Sequence, residues 1–383
     1  MKYDGINMSR VKLRNRSAIL TYIMKNGPVS RKELASVTGL TAAAVSLISA
    51  ELIEEGILKE TGIVAAGSAG RRQVLLDIDS GSRIVLTINL ESRQTVIALV
   101  NLRGGLLGRH SMQTDCSLAP ELFLKKIARA AKTLLQKHPE TAGRVAGAAV
   151  GITGIVDRAA GISRQAYGIW KEEVPVCAIL KEQLGLPVIL ENNVNAFAEA
   201  ELLYGSEKDY DNLLVIKWGP GVGSAMIIDN RIYEGRHNKA AELGHFIVEK
   251  NGRLCSCGRH GCLETKVSWQ ALQEKRDFSM RDFGTVLQEA EQEGTADFYL
   301  DAIDLFARAI VNTMTIVAPN RVILYGSLFY GKAVRDRLIE DCMSYDPGCS
   351  AHRIVYSELT GKEDYIGPAA CMITRELIGG GEA

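Results

Sequence analysis

Three cysteines fall within eight residues, Cys255-Ser-Cys257-Gly-Arg-His-Gly-Cys262, and Glu242-Leu-Gly-His245 lies just upstream. No other stretch constrains the local fold of this chain so tightly. Thiolates and imidazole are zinc ligands, and a Cys3His set closes the tetrahedron with no position left for a reactive water. A zinc ion held by His245, Cys255, Cys257 and Cys262 would therefore shape a site rather than perform chemistry. The flanking Glu242 and Glu264 would then be fixed where their carboxylates can grip hydroxyl groups. The competing readings are a redox pair or buried, inert thiols. C-x-C-x4-C plus a histidine is more constrained than a lone C-x-x-C and favours the metal. His260 is a rival fourth ligand, but it sits on the loop between neighbouring cysteines and would need a tight fold-back, so His245 is preferred.

With 383 residues, 46% hydrophobic and 23% charged, the chain has ordinary globular composition and length for more than one domain. Eight cysteines, three of them clustered, fit a reducing compartment and a metal better than a disulfide framework. Cys116, Cys177, Cys342, Cys349 and Cys371 are scattered and read as core or incidental. The N-terminus has no apolar run before a small-residue cleavage site, and no segment has the apolar length of a bilayer span. A cytoplasmic protein with no membrane partner is the expectation. The net charge of zero hides an asymmetry. Through Lys32 there are eight basic residues (Lys2, Arg10, Lys12, Arg14, Arg16, Lys25, Arg31, Lys32) against one acid, Asp4. Such a segment suits a polyanion, although a solvated helix face would look the same.

The first eighty residues read as a separate module. Val11 to Lys25 has apolar residues at helical spacing and stops at Gly27-Pro28. Ser30-Arg-Lys-Glu33 is a capping box opening a short helix, Gly39 makes a turn, and Thr41 caps a third helix ending at Gly56. Strands follow near Ile57–Lys59 and Val74–Ile78, separated by a loop that carries Gly70-Arg71-Arg72. This is the layout of a winged helix-turn-helix. Beyond Asp79-Ser-Gly81, strands alternate with helices, indicating an α/β body. Hairpin openings near residues 84 and 213 suggest an imperfect internal duplication, and Tyr365 to Ile378 reads as a closing helix.

These features together resemble the ROK family, over essentially the whole chain. The most specific carriers are Glu242-x-Gly-His245 and the Cys255–Glu264 knuckle. Gly151-Ile-Thr-Gly154-Ile-Val-Asp157, Leu186 to Ala196 and the winged helix support them. The resemblance implies a two-lobed actin/hexokinase-like (ribonuclease-H-like) α/β body behind an N-terminal winged helix-turn-helix. The expected domains are 1–80 for DNA binding, 81–190 for the first lobe with helix 365–379 packing back on it, and 191–364 for the second lobe with the zinc knuckle. It further implies a sugar in the cleft between lobes, met by Asn192, Asn193, Glu242, His245 and Glu264. Trp170 reads equally well as a pocket wall and as core packing.

The departures from the family's kinase pattern carry equal weight. Kinases of this family show Asp-x-Gly-Gly-Thr-Lys at the first hairpin; here the stretch is Asn89-Leu-Glu91-Ser92-Arg93, with a carboxylate where phosphate would approach. The second phosphate loop reads Gly219-Pro220-Gly221-Val-Gly223, and Pro220 has no amide proton to offer. Asn193 stands at the position of the catalytic Asp, and an amide cannot act as the general base. No catalytic residue is therefore assigned. The expected function is a sugar-responsive transcriptional regulator, a repressor of carbohydrate-uptake or catabolism genes released by a sugar or sugar phosphate. The alternative is an ATP-dependent sugar kinase carrying a DNA-binding module. A homodimer or tetramer would hold two such modules on a palindromic operator. If Val45, Ile48 and Leu52 face inward, Ala43, Ser46, Leu47 and Ala50 face out, with no Arg or Asn for a bidentate base contact. Packing of Leu47 and Ala50 against the wing or another subunit is a serious competing reading. Thr41, Ala43, Ser46 and Leu47 are the expected groove contacts. Arg31, Lys32, Arg71 and Arg72 would supply affinity, the last two in an A·T-rich minor groove.

Overall fold

The computed structural model describes residues 8–64, 73–207, 210–236, 239–349 and 352–379. The N-terminal module opens with helix α1 (Met8–Asn26), which buries Ile19, Leu20, Ile23 and Met24 on one stripe. After the short strand β1 (Val29–Ser30), Ser30 caps helix α2 (Arg31–Thr38), its hydroxyl accepting from the Glu33 amide at 3.1 Å. The expected return bond from Glu33 is replaced: its carboxylate accepts from the Tyr22 hydroxyl at 3.0 Å and ties α2 to α1. Helix α3 (Ala42–Glu54) starts at the Thr41 cap and buries Val45, Ile48 and Leu52. Strands β2 (Leu58–Val64) and β3 (Gln73–Ile78) complete an antiparallel sheet of order β1-β3-β2.

The chain divides into two compact units. The first comprises Met1–Gln165, Ile169–Tyr204 and Asp364–Ala383, and so includes the N-terminal module. Its sheet begins with β4 (Ile84–Leu90), β5 (Gln94–Asn101), β6 (Leu106–Gln113) and β7 (Val145–Ile152). After a small ribbon of β8 (Ile155–Asp157) and β9 (Ile162–Gln165), strand β10 (Val188–Asn192) adds the far edge, giving the order β10-β7-β4-β5-β6. All seven residues of β4 are buried, as befits a central strand. Helices α4 (Pro120–Lys137), α5 (Val176–Leu184) and α6 (Asn193–Tyr204) accompany the sheet. Helix α6 lies in this first unit, whereas the sequence reading began the second lobe at residue 191.

The second unit comprises Ala166–Gly168 and Gly205–Glu363. It holds β11 (Leu213–Trp218), β12 (Val222–Ile228), β13 (Arg231–Ile232), β14 (Arg321–Tyr325) and β15 (Ile354–Tyr356), ordered β13-β12-β11-β14-β15. Short helices α7 (Glu264–Val267) and α8 (Trp269–Leu272) precede α9 (Phe283–Glu293), α10 (Asp297–Val317) and α11 (Lys332–Tyr345). Trp218 is fully buried among Phe283, Phe306 and Phe329, and this aromatic cluster anchors the unit's core. Each unit places an antiparallel hairpin (β4–β5, β11–β12) against parallel strands (β7, β14). The duplication is thus a repeat of the whole five-strand plan. Helix α12 (Ile366–Ile373) returns to the first unit, packs on α6, and continues as a π-helical turn through Ile378. Among the described residues, no single helix is long and apolar enough to cross a membrane.

Candidate functional site

His245 ends a buried 3-10 turn, Leu243–His245, and its ring meets the three thiols of the knuckle. The ligand atoms of His245, Cys255, Cys257 and Cys262 all lie within 4.8 Å of one another, an arrangement able to hold a metal ion. Cys257 Sγ and Cys262 Sγ are 3.7 Å apart, and Cys255 Sγ is 3.5 Å from His245 Nδ1. These separations match a tetrahedral zinc–thiolate edge, roughly 3.8 Å for a zinc–sulfur bond of ~2.3 Å. His260 stands outside the cluster, exposed, with Nδ1 3.0 Å from the Gly252 carbonyl oxygen. The knuckle closes through backbone bonds, Cys255 N to Arg259 O at 2.8 Å and Gly261 N to Arg253 O at 2.9 Å.

Metal ligation needs a neutral imidazole and ionised thiols; the imidazole and Cys257 are shifted that way, while burial raises the thiols of Cys255 and Cys262. Burial pulls His245 down to about 4, with the Arg259 charge adding to the effect. Burial opposes ionisation of Cys257, but hydrogen bonds from the backbone and guanidinium of Arg259 bring its thiol below the ordinary value.

Around the second nitrogen of His245 the surroundings change from thiol to carboxylate. Nε2 lies 3.7 Å from Glu242 Oε2. Glu264, at the start of α7, accepts from the Val222 amide at 3.0 Å through Oε2, while Oε1 lies 3.9 Å from Cys255 Sγ. Burial raises the carboxyls of both Glu242 and Glu264. A carboxylate that has lost hydration gains most from a hydroxyl or other strong donor. Tyr167 joins this group, its ring edge-on to His245 with centroids 5.5 Å apart. Sequence reasoning looked three residues further, to Trp170, which instead is buried with its Nε1 donating to Ser163 Oγ at 3.0 Å. The segment 166–168 belongs to the second unit and its neighbours to the first, a change of partner that no periodicity announces.

Asn192 and Asn193 lie in the first unit, where β10 gives way to α6. The Asn192 side chain is a cap: Oδ1 accepts from the amides of Val194 and Asn195 at 2.8 and 3.2 Å, and Nδ2 donates to the Gly154 carbonyl at 2.8 Å. Asn193 Nδ2 donates to Glu91 Oε1 at 3.1 Å. The Glu91 carboxylate and the Asn193 amide are therefore bonded to each other.

In the N-terminal module, Ala43, Ser46, Leu47 and Ala50 are exposed on α3, Leu47 by 62%. Thr41 is spent in part on its cap, accepting from the Ala44 amide at 3.2 Å. The basic side chains are less available than their number in the sequence suggests. Arg31 pairs with Glu60 at 3.0 Å, Lys12 with Glu51 at 2.8 Å, and Arg16 with both carboxylate oxygens of Glu55. Lys32 is exposed. Arg71 and Arg72 lie outside the described residues.

A family model described as the ROK family matches residues 85–373, and one for a winged helix-turn-helix DNA-binding domain matches residues 13–59. The xylose repressor of Caldicellulosiruptor bescii is 28% identical over 294 residues, covering 77% of this chain and 71% of that protein. A crystal structure of a ROK family transcriptional regulator, described as a homolog of the E. coli MLC protein, superposes with a TM-score of 0.79 at 25% identity, covering 97% of both chains. The ROK hexokinase of Thermus thermophilus, at 24% identity and a TM-score of 0.62, covers 75% of this chain and 97% of its own, a likeness of fold alone. Matched over the region that holds both five-stranded sheets, this chain belongs to the ROK family.

Proposed function

We propose that this protein is a sugar-responsive DNA-binding transcriptional regulator. It represses carbohydrate-uptake or catabolism genes from the cytoplasm until a sugar or sugar phosphate releases it. The observation that carries this reading is the winged helix-turn-helix built into the same chain as a ROK body, the composition shared with relatives named as repressors. The bond between Asn193 and Glu91 supports an effector role over phosphotransfer, because an amide held by a carboxylate can bind hydroxyls but cannot deprotonate one.

In this reading a structural zinc sits on His245, Cys255, Cys257 and Cys262, fixing the imidazole so that Nε2 faces the effector. Asn192, Asn193, Glu242, His245 and Glu264 are the proposed contacts for its hydroxyls. Thr41, Ala43, Ser46 and Leu47 meet the major groove, while Arg31, Lys32, Arg71 and Arg72 meet phosphate and minor groove of a palindromic, A·T-rich operator as a homodimer or tetramer. Release follows only if the sugar binds one conformation of the protein better than the other.

Fluorescence anisotropy of zinc-loaded protein on DNA from upstream of its own gene, at fixed salt and with a panel of sugars, tests the reading. Tight binding released by one sugar supports it. Glu242→Ala and Glu264→Ala should abolish release while sparing operator binding; full response in both variants overturns the effector site. The rival reading is an ATP-dependent sugar kinase carrying a DNA-binding module, and ATP consumption with any aldohexose or hexosamine would establish it.

A further inference from the structure

The turn between β5 and β6 holds the DNA-binding module on the first unit. Arg103 stands at its tip. Its guanidinium donates from Nη1 to the Met24 carbonyl at 2.8 Å and from Nη2 to the Ile23 carbonyl at 3.3 Å, and it also pairs with Asp77 of β3. Both carbonyls belong to the last turn of α1, where the dipole favours a cation; the Ile23 oxygen also accepts from the Gly27 amide at 3.0 Å. One side chain thus grips two separate elements of the module. The turn that carries it is itself rigid: Asn101 Oδ1 accepts from the amides of Arg103 and Gly105 at 3.0 and 2.8 Å. A Cβ on Gly104, which has φ +73°, would lie 2.5 Å from Ile366 Cδ1 of α12.

The same turn is tied to α6. Tyr204, the last residue of that helix, donates its hydroxyl to the Leu102 carbonyl at 3.1 Å, next to Arg103. Asn193 is the first residue of α6. The helix therefore runs about 18 Å from the effector amides to the turn that grips the DNA-binding module. A second contact reinforces the grip, since Ser17 of α1 donates to the Ile378 carbonyl in the π-helical turn that continues α12.

We infer that Arg103 is a positioning residue for DNA binding, and that Tyr204 couples it to α6, so that a shift of α6 on effector binding is delivered to α1 and β3. This inference rests on the sugar-responsive reading above. The test compares wild type, Arg103→Ala, Arg103→Lys and Tyr204→Phe as full-length, zinc-loaded protein. Operator affinity is measured with and without glucose, xylose, allose, N-acetylglucosamine and their phosphates, and affinity for the releasing sugar by calorimetry.

In wild type the releasing sugar should weaken operator binding by roughly 10-fold or more, and in Arg103→Ala by less than about 2-fold, with sugar affinity unchanged. Arg103→Lys, which keeps the charge but loses the planar fork, should retain an intermediate response. Tyr204→Phe, which removes one hydroxyl, should also lower the response. Full response in Arg103→Ala or in Tyr204→Phe overturns the coupling. If no sugar moves wild-type binding, the sugar-responsive reading fails. Hydrogen exchange then judges the grip by itself: faster exchange at the end of α1 and in β3 of Arg103→Ala, with α10 unchanged, supports it, and wild-type exchange there overturns it.

Discussion

Gly261 leaves no room for a side chain, because an added Cβ would lie 1.8 Å from the Glu249 carbonyl oxygen on a backbone with φ +74°. Gly261→Ala should therefore prevent the knuckle from closing, at a cost of at least ~2 kcal/mol. Bound zinc per chain by atomic absorption, together with a lower thermal midpoint, checks this. Asn193→Asp tests the other unit. It would set a second carboxylate against Glu91 in place of the 3.1 Å hydrogen bond, costing roughly 1–3 kcal/mol at neutral pH. One carboxyl of such a pair has its folded-state pKa raised above the unfolded value. The variant's deficit should therefore be small near pH ~3, below the unfolded range of roughly 3.9–4.3, and grow as pH rises from there through the folded pKa. Urea unfolding across that window measures it. The cluster of His245, Cys255, Cys257 and Cys262 was legible in the sequence because ligand chemistry and spacing are local. Tyr167 was not, since nothing in Gln165-Ala-Tyr-Gly168 tells that three residues pack with a distant part of the chain.

Helix and strand ends were readable wherever an apolar run is bounded by polar or turn residues. Strand β7, helix α5 and strand β14 run over the ranges their hydrophobic patterns indicate. Strand β6 escaped notice because it is an edge strand, most of whose side chains are exposed, so it carries no apolar alternation. Most of α6 was missed beyond its cap because Val194, Ala196, Phe197, Ala198, Ala200 and Leu203 are buried around much of its circumference, leaving no polar stripe to set the period. The module's charge pairs were also invisible, since Glu51, Glu55 and Glu60 come from later elements than the cations they neutralise. Glu60→Gln should free Arg31 of α2 for phosphate. The operator-binding constant should then rise at low salt, and its log–log dependence on salt should steepen by about 0.9, the slope of one further phosphate contact. Anisotropy titrations at several salt concentrations would show either this steepening or an unchanged slope, which would remove Arg31 from the interface.

Across the whole molecule, the repeat of one five-strand plan joins hairpins with turn-marked sequence (β4–β5, β11–β12) to parallel strands that read as short buried runs (β7, β14). Among the described residues, only the second unit carries a His/Cys cluster able to hold a metal ion, so metal removal should act unevenly. Chelation should lower the thermal midpoint of the second unit and abolish the sugar response, with α1–α3 retaining their helicity and measurable DNA affinity. Calorimetry on chelated and zinc-restored protein, beside anisotropy, reads both. The bond between Glu91 and Asn193 also constrains substitution at either position. An aspartate placed at 193 alone meets a standing carboxylate and costs stability, and a glycine placed at 91 alone removes the acceptor of the Asn193 amide. Each change is unfavourable unless the other accompanies it, so the contact works as a ratchet against single-step change at this corner.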